Sequence, residues 1–138
     1  GRTFVDCDAE IERRAQKRIP DIFSQDGEPA FRELEAQVIA DVCRERRCVI
    51  ATGGGAVLRP ENIRAMRQNG KVAFIERALD ALAQEGRPLS RSREALQDMW
   101  KCRAPLYRAG QDFIIDNNGD LERSLAQAEE GFYEAAHH

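Results

Sequence analysis

Two acidic residues, Asp6 and Asp8, follow the first apolar segment of the chain. Carboxylates spaced i and i+2 on extended chain point the same way. Such a pair could hold a hydrated magnesium ion, accept hydrogen bonds from sugar-like hydroxyls, or act as a general base. The structural alternative is a turn at the end of a strand, with Asp8 capping the helix that follows. The pair by itself leaves these uses open.

Three consecutive glycines, Gly53, Gly54 and Gly55, follow a second apolar segment, Cys-Val-Ile-Ala. Glycine weakens strands and helices because it loses the most backbone freedom on folding. A tight strand-to-helix turn is one use for the three glycines. The other is close approach, in which backbone N–H groups reach a bound polar ligand. A phosphate-loop pattern, G-x-x-x-x-G-K-[ST], does not occur in residues 1–138.

Three arginines could bind an anion. Arg32 lies early in a predicted helix, with Glu35 on the same face, and a solvated ion pair is the structural alternative. Arg103 precedes Pro105, which is predicted to break a helix. Its planar fork matches carboxylate and phosphate geometry, so it could clamp an oxyanion there. Arg87 lies in a polar loop, where a mobile surface charge is the alternative.

Short apolar segments alternate with helical patterns along the chain. Strands are predicted at TFVD (3–6), CVIA (48–51), KVAFIE (71–76) and DFIID (112–116). Helices are predicted at about 9–18, 29–46, 60–69, 79–84 and 92–107, with a last amphipathic helix after residue 120. The segment IPDIFSQDGEP is predicted to be a turn-rich link. This alternation predicts an α/β fold, in which helices cover both faces of a parallel sheet.

Each predicted strand ends in polar residues or glycine, as at Asp6 and Gly53. Open parallel sheets bind ligands at the carboxyl ends of their strands. The residues able to do chemistry are therefore expected at the edge where this fold class has its site.

Length and composition predict one soluble domain over residues 1–136, with His137 and His138 as a tag remnant. A net charge of −3 with mixed signs argues against a nucleic-acid partner. No apolar segment reaches membrane-spanning length, so no membrane partner is expected. Four cysteines without a C-x-x-C pair indicate reduced thiols and a cytoplasmic location, and they offer little support for zinc.

The motifs D-x-D, DIFSQDGEPAFRELE, TGGG, GRPL and RAPLY, in that order, resemble shikimate kinases from about Phe4 to Asn117. The resemblance implies a P-loop kinase-like, three-layer fold related to nucleoside monophosphate kinases, with a five-stranded parallel sheet. It implies transfer of the γ-phosphoryl group of ATP to the 3-hydroxyl of shikimate, with Mg²⁺. The reaction would belong to aromatic amino-acid biosynthesis, and shikimate would be the small-molecule partner.

The resemblance also implies roles for individual residues. Asp8 would hold the acceptor hydroxyls and help activate the attacking one, and Asp6 would order the magnesium ion through water. The remaining implied roles are the carboxylate clamp (Arg32, Arg103), its support (Glu35), ring packing (Phe23, Phe31), the pocket wall (Gly53, Gly54, Gly55), the lid contact to the transferred phosphoryl group (Arg87) and the adenine contact (Asn117).

The sequence departs from this family at its start, where shikimate kinases have a strand, a phosphate loop and a helix. Residues 1–138 begin where the second strand of the family would begin. The expectation is a kinase that is N-terminally incomplete here. The alternative is a truncated, catalytically inactive shikimate-binding domain, either monomeric or self-associating through an exposed sheet. A gluconate kinase is a third possibility, which the paired clamp candidates Arg32 and Arg103 disfavour.

Overall fold

The computed structural model of the chain describes residues 1–77 and 93–137. The chain divides into two compact units, residues 1–70 and residues 71–138. The predicted helix at 79–84 and the polar loop with Arg87 lie outside the described residues. None of the helices in the described ranges is both long enough and apolar enough to cross a membrane.

The first unit contains one pair of parallel strands. Strand β1 (Thr3–Asp6) pairs with β2 (Cys48–Ala51), and the register sets Asp6 opposite Ala51. The helices of this unit are α1 (Cys7–Ala15), α2 (Ile19–Gln25), α3 (Glu28–Val42), a 3-10 helix (Gly54–Leu58) and α4 (Pro60–Asn69). Three of them connect β1 to β2, because a parallel pair needs a long crossover to return the chain to the same end of the sheet.

Helix α3 supplies much of the core of the first unit. Its buried apolar residues are Phe31, Val38, Ile39 and Val42, at the spacing of one helix face. They form a cluster with five residues from elsewhere in the unit: Cys7, Ile11, Ile22, Cys43 and Ala56. The same face buries a charged side chain, Glu35, which is only 1% exposed. A carboxylate at such a position requires an ionic or hydrogen-bonding partner, since burying an unpaired charge is costly.

The junction between β1 and α1 differs from the prediction. Asp6 is the N-cap of α1, and its Oδ1 accepts a hydrogen bond from the amide of Asp8 at 3.0 Å. The prediction that Asp8 caps this helix is wrong, because Asp8 already lies in the first turn of α1. The two carboxylates are therefore not successive side chains of extended backbone. The i, i+2 argument for their orientation does not apply.

The segment IPDIFSQDGEP is helical rather than turn-rich. Helix α2 begins at Ile19 with Pro20 in its first turn, where the missing N–H of proline costs no helical hydrogen bond. Ile22 is 2% exposed and belongs to the core, so tertiary packing stabilises this short helix. Gly27 has a φ of 87° and turns the chain into α3, a conformation that glycine adopts without strain.

The second unit contains a second pair of parallel strands. Strand β3 (Ala73–Glu76) pairs with β4 (Phe113–Asp116). The described helices of this unit are α5 (Arg93–Gly110) and α6 (Leu121–Ala136). Parallel strands joined by helices confirm the predicted α/β class. The described residues contribute four strands in two pairs, compared with the five strands that the resemblance implies.

Pro105 does not break the helix that contains it. Proline inside a helix removes one backbone hydrogen bond and commonly kinks the axis, yet α5 continues to Gly110. Trp100 and Tyr107, on either side of Pro105, stack on Phe74 of β3 at centroid distances of 6.0 and 4.7 Å. This aromatic packing stabilises α5 across the proline. Arg103 therefore lies within a continuous helix, not beside a helix end.

One face of the first strand pair is exposed. Phe4 and Val49 are opposite each other in the register and are 65% and 53% exposed. On the other face, Val5 and Ile50 pack partly buried against the core. Self-association through the exposed face stays a prediction.

Candidate active site

The carboxyl ends of β1 and β2 are neighbours, since Asp6 is opposite Ala51. The acidic segment after β1 and the glycine segment after β2 therefore come together, as expected for a parallel pair. A Cβ atom built on Gly53 would lie 3.3 Å from Oδ1 of Asp8 and 3.3 Å from Oε2 of Glu35. Residues from β1–α1, α3 and the segment after β2 thus share one small volume within the first unit.

The side chain of Asp8 provides a hydrogen-bond acceptor within this volume. Its Oδ1 is buried and has no hydrogen-bond partner within the described ranges. Burial raises the pKa of Asp8, and the nearby charges of Asp6 and Glu12 raise it further, while the charge of Arg32 acts in the opposite direction. Buried polar oxygens are nearly always hydrogen-bonded in native proteins. A bound hydroxyl group could satisfy this oxygen.

Arg32 is held on α3 by two carboxylates. Its Nη1 donates to Oε1 of Glu35 at 2.9 Å, and its Nε lies 3.4 Å from Oε1 of Glu28. The side chain of Arg32 is 11% exposed and that of Glu35 is 1% exposed, whereas Glu28 is 57% exposed. Cζ of Arg32 also lies 5.1 Å from the centre of the Phe31 ring. The Arg32–Glu35 pair is therefore a buried ion pair, and the surface pair expected as the alternative is wrong.

Neighbouring side chains approach two of the three glycines closely, Gly53 and Gly55. A φ of −68° at Gly53 is one that any residue can adopt, and Gly27 is the only glycine of the described ranges with a positive φ. At Gly55, a Cβ would overlap the guanidinium group of Arg32. Gly54 begins the 3-10 helix and is exposed. Close approach at Gly53 and Gly55 explains the glycines better than an unusual turn does.

The two predicted ring-packing residues have different environments. Phe23 and Phe31 are in contact, with ring centroids 4.7 Å apart. Phe31 is 4% exposed and belongs to the core cluster, while Phe23 is partly buried and packs against that cluster. Of the two, Phe23 has the more accessible ring surface for a ligand.

The other predicted site residues lie in the second unit or outside the described ranges. Arg103 is a half-buried residue of α5. Asn117 follows β4. Its backbone N–H donates to the backbone carbonyl of Glu76 at 2.8 Å, and its side-chain Oδ1 accepts from the Ser124 hydroxyl at 2.7 Å. Arg87 is not among the described residues. The clamp role of Arg103 and the adenine contact of Asn117 stay predictions.

One residue that supports the site was missed by the sequence analysis. Asn62 of α4 is 2% exposed, and its Nδ2 donates to the carbonyl of Ala56 at 3.0 Å, inside the 3-10 helix that follows the glycines. Asn62 shares a helix face with Ala65 and Met66, which pack against the core. That helical spacing is the signal that could have identified a buried polar residue here.

The described residues fit a hydrated magnesium ion better than a fully protein-bound one. No cluster of three or more His, Cys, Asp or Glu residues suited to a metal occurs in residues 1–77 and 93–137. Mg²⁺ commonly keeps several waters and takes only one or two carboxylates together with substrate phosphates. Asp6 uses Oδ1 to cap α1, which leaves its second oxygen for a metal-bound water. A water-mediated role for Asp6 is chemically reasonable.

Comparison with known proteins identifies the family. The profile of the shikimate kinase family matches residues 1–131. The shikimate kinase of Burkholderia lata is 40% identical over 93% of this chain and 77% of its own length. That of Nitrosomonas europaea is 36% identical over 92% of this chain, which spans 64% of that protein.

Solved structures agree with the sequence comparison. A shikimate kinase from Acinetobacter baumannii in complex with shikimate superposes with a TM-score of 0.88 and 33% identity, covering 99% of this chain and 80% of that one. The enzyme from Aquifex aeolicus superposes with a TM-score of 0.82 and 27% identity, covering 97% and 82%. On both sequence and fold, the chain belongs to the shikimate kinase family.

Proposed function

We propose that this chain takes part in the ATP-dependent phosphorylation of the 3-hydroxyl of shikimate, and that residues 1–70 contribute Asp8, Arg32 and the glycine segment to the acceptor side of the site. The family supports the reaction class, and the relative from Acinetobacter baumannii is a complex with shikimate. The observation that carries the proposal for this chain is the buried, unsatisfied Oδ1 of Asp8 beside Gly53 and the Arg32–Glu35 pair. A polyhydroxy acid offers hydroxyl donors for Asp8 and a carboxylate for an arginine.

Asp8 is proposed to bind and activate the attacking hydroxyl. Its raised pKa makes its carboxylate a better proton acceptor than an exposed aspartate. The hydroxyl donates its proton to Asp8 as its oxygen attacks the γ-phosphorus of ATP, and ADP leaves from the opposite side. Phosphoryl transfer depends mainly on such positioning and on electrostatic stabilisation.

Arginines are proposed to bind the acceptor and the transferred group. Arg32 would hold the shikimate carboxylate together with Arg103, since a guanidinium fork forms two parallel hydrogen bonds with a carboxylate. Gly53 and Gly54 would let the backbone come close to the acceptor, and Phe23 would pack against its ring. Arg87 would approach the equatorial oxygens of the transferred phosphoryl group, where negative charge must be stabilised.

The two remaining predicted contact residues would bind ATP and magnesium. Asn117 would lie near the adenine, and Asp6 would orient Mg²⁺ through water. When bound, the ion would neutralise charge on the phosphates. The four free cysteines support a reducing, cytoplasmic setting. Burial raises the pKa of Cys7 to about 12, so this thiol next to Asp8 stays protonated and takes no part in the chemistry.

A non-catalytic shikimate-binding domain is the second candidate. It applies to a polypeptide limited to residues 1–138, in which no phosphate-loop pattern occurs to hold the β- and γ-phosphates. Binding of shikimate is common to both candidates, and turnover separates them.

Calorimetric titration with shikimate in the absence of nucleotide tests the proposal. We expect saturable one-to-one binding. Arg103→Ala should weaken it by about 2–4 kcal/mol, because a charged hydrogen-bonding partner of the carboxylate is lost. Arg108→Ala, an exposed arginine later in α5, is the matched control and should leave the dissociation constant unchanged. Absence of binding by a folded sample would refute the acceptor site, and an unchanged constant in Arg103→Ala would remove Arg103 from it.

A further inference from the structure

The space in which Gly55 lacks a side chain is occupied by Arg32. A Cβ built on Gly55 would overlap three atoms of Arg32, namely Nη1, Nη2 and Cζ. Gly55 is itself buried. The guanidinium therefore lies directly against the backbone after β2, closer than any residue with a side chain would permit.

Backbone conformation does not explain the glycine at this position. Gly27 has a φ of 87° and needs to be glycine for that reason, whereas Gly55 has no positive φ. Gly53 differs again, since its nearest neighbours are carboxylate oxygens at 3.3 Å, which a small shift can accommodate. The overlap at Gly55 involves the end of the Arg32 side chain, which is only 11% exposed and is held by its hydrogen bond to Glu35. A side chain at residue 55 would therefore require the Arg32 guanidinium to move.

The other contacts of Arg32 leave its head little freedom. Glu35 accepts from Nη1 at 2.9 Å, Glu28 lies 3.4 Å from Nε, and the Phe31 ring centre is 5.1 Å from Cζ. All three of these contacts come from residues of α3. The backbone at Gly55 adds a limit from a different element, so the position of the fork depends on both.

We propose that Gly55 is a positioning residue that seats the Arg32 guanidinium for the acceptor carboxylate. This inference rests on the proposed function, because it takes the carboxylate of shikimate as the ligand of Arg32. A methyl group at residue 55 displaces the fork, and a displaced fork loses its two parallel hydrogen bonds to the carboxylate. Gly55 then acts through Arg32 and not as a wall of the pocket.

The proposal predicts that Gly55→Ala loses affinity only for a ligand that has a free carboxylate. Gly55→Ala should weaken shikimate binding by at least about tenfold. Its affinity for shikimate methyl ester, which has no charge for Arg32 to bind, should stay that of the unchanged chain. An equal loss for both ligands, or no loss for either, overturns the proposal. A residue that merely shaped the pocket would affect the two ligands alike.

A double-mutant cycle with Arg32→Lys completes the test by calorimetry and urea unfolding. Lysine keeps a positive charge for Glu35 but replaces the fork with a single ammonium group, which leaves room for a methyl group. Gly55→Ala should lower the unfolding midpoint and the shikimate affinity when Arg32 is present, and lower neither further in the Arg32→Lys background. Equal effects in both backgrounds overturn the proposal. If Gly55→Ala alone does not fold, a folded double variant supports the proposal that Gly55 positions Arg32. A double variant that does not fold refutes that proposal.

Failure of the proposed function gives a different result. If the unchanged chain binds neither ligand, the acceptor site is refuted. The unfolding cycle needs no ligand and then decides by itself whether Gly55 seats Arg32.

Discussion

The partial burial of Asp8 affects the stability of the folded chain. Burial raises its pKa in the folded state above that of the unfolded chain. The contribution of Asp8 to folding is therefore greatest below the unfolded-state pKa and is lost as the pH rises through the folded-state pKa. At neutral pH the ionised carboxylate is therefore expected to destabilise the folded chain.

The variant Asp8→Asn should accordingly be more stable than the unchanged chain at pH 7, while binding shikimate more weakly. The stability difference should shrink as the pH falls through the folded-state pKa of Asp8, because the wild-type carboxyl is then neutral too. Urea unfolding at a series of pH values measures this. Asp98→Asn, which changes an exposed carboxylate of α5, is the control. A difference that does not vary with pH would assign the effect to packing.

The two carboxylates that hold Arg32 should contribute very different amounts to the free energy of unfolding. Glu35→Ala leaves a buried guanidinium without its close partner, which costs about 3–5 kcal/mol. Glu28→Ala removes an exposed partner of the same arginine and should cost less than about 1 kcal/mol. The free energy of unfolding in urea gives both values. Similar small losses would mean that the Arg32–Glu35 pair is not the buried element described above.

At the scale of elements, the glycine segment is held in place by α4. The side-chain amide of Asn62 donates to the carbonyl of Ala56 within the 3-10 helix, and Asn62 is 2% exposed. The position of Gly53 and Gly55 therefore depends on a helix that contributes no residue to the predicted chemistry. Such a support is invisible to motif comparison, because it acts through one hydrogen bond to the backbone.

Asn62→Ala should destabilise the chain by about 1–3 kcal/mol, because a buried carbonyl loses its donor. Asn69→Ala is a matched control on the same helix. Asn69 is exposed and its Nδ2 lies 3.4 Å from the carbonyl of Cys43, so its loss should cost clearly less. Chemical denaturation measures both variants. A loss at Asn69 equal to that at Asn62 would show that α4 docking as a whole, and not the Ala56 contact, is affected.

For the molecule as a whole, the proposed function predicts that acceptor binding and phosphoryl transfer can be measured separately. The proposed acceptor residues Asp8, Arg32 and Gly53 belong to residues 1–70, which form a compact unit with their own core. A phosphate-loop sequence does not occur in residues 1–138. On the proposed function, binding of shikimate depends on residues of this chain, whereas steady turnover also needs a loop that holds the β- and γ-phosphates.

A polypeptide limited to residues 1–138 should bind shikimate and show no steady release of ADP above a sample without protein. A coupled ADP assay with shikimate, ATP and Mg²⁺ measures this, with a full-length relative as the positive control. Turnover that scales with the concentration of the chain, and is lost in Asp8→Asn, would contradict the expectation. It would mean that other residues of this chain hold the phosphates.

Sequence patterns were enough to predict the fold class, the four strands and the meeting of the acidic and glycine segments. Period-2 and period-3.6 patterns are local, and parallel strands must present their carboxyl ends at one edge, so these conclusions need no coordinates. The ordered motifs also identified the family, which the comparisons confirmed.

The folded structure was needed for every feature that depends on packing between distant segments. The segment IPDIFSQ is helical because Ile22 is buried in the core. Helix α5 continues past Pro105 because Trp100 and Tyr107 stack on Phe74. The structure also showed that Gly55 is pressed against Arg32, a residue 23 positions earlier in the chain. A glycine triplet has the same local pattern whether it turns the chain or makes room for a guanidinium, and only the neighbour in space distinguishes the two.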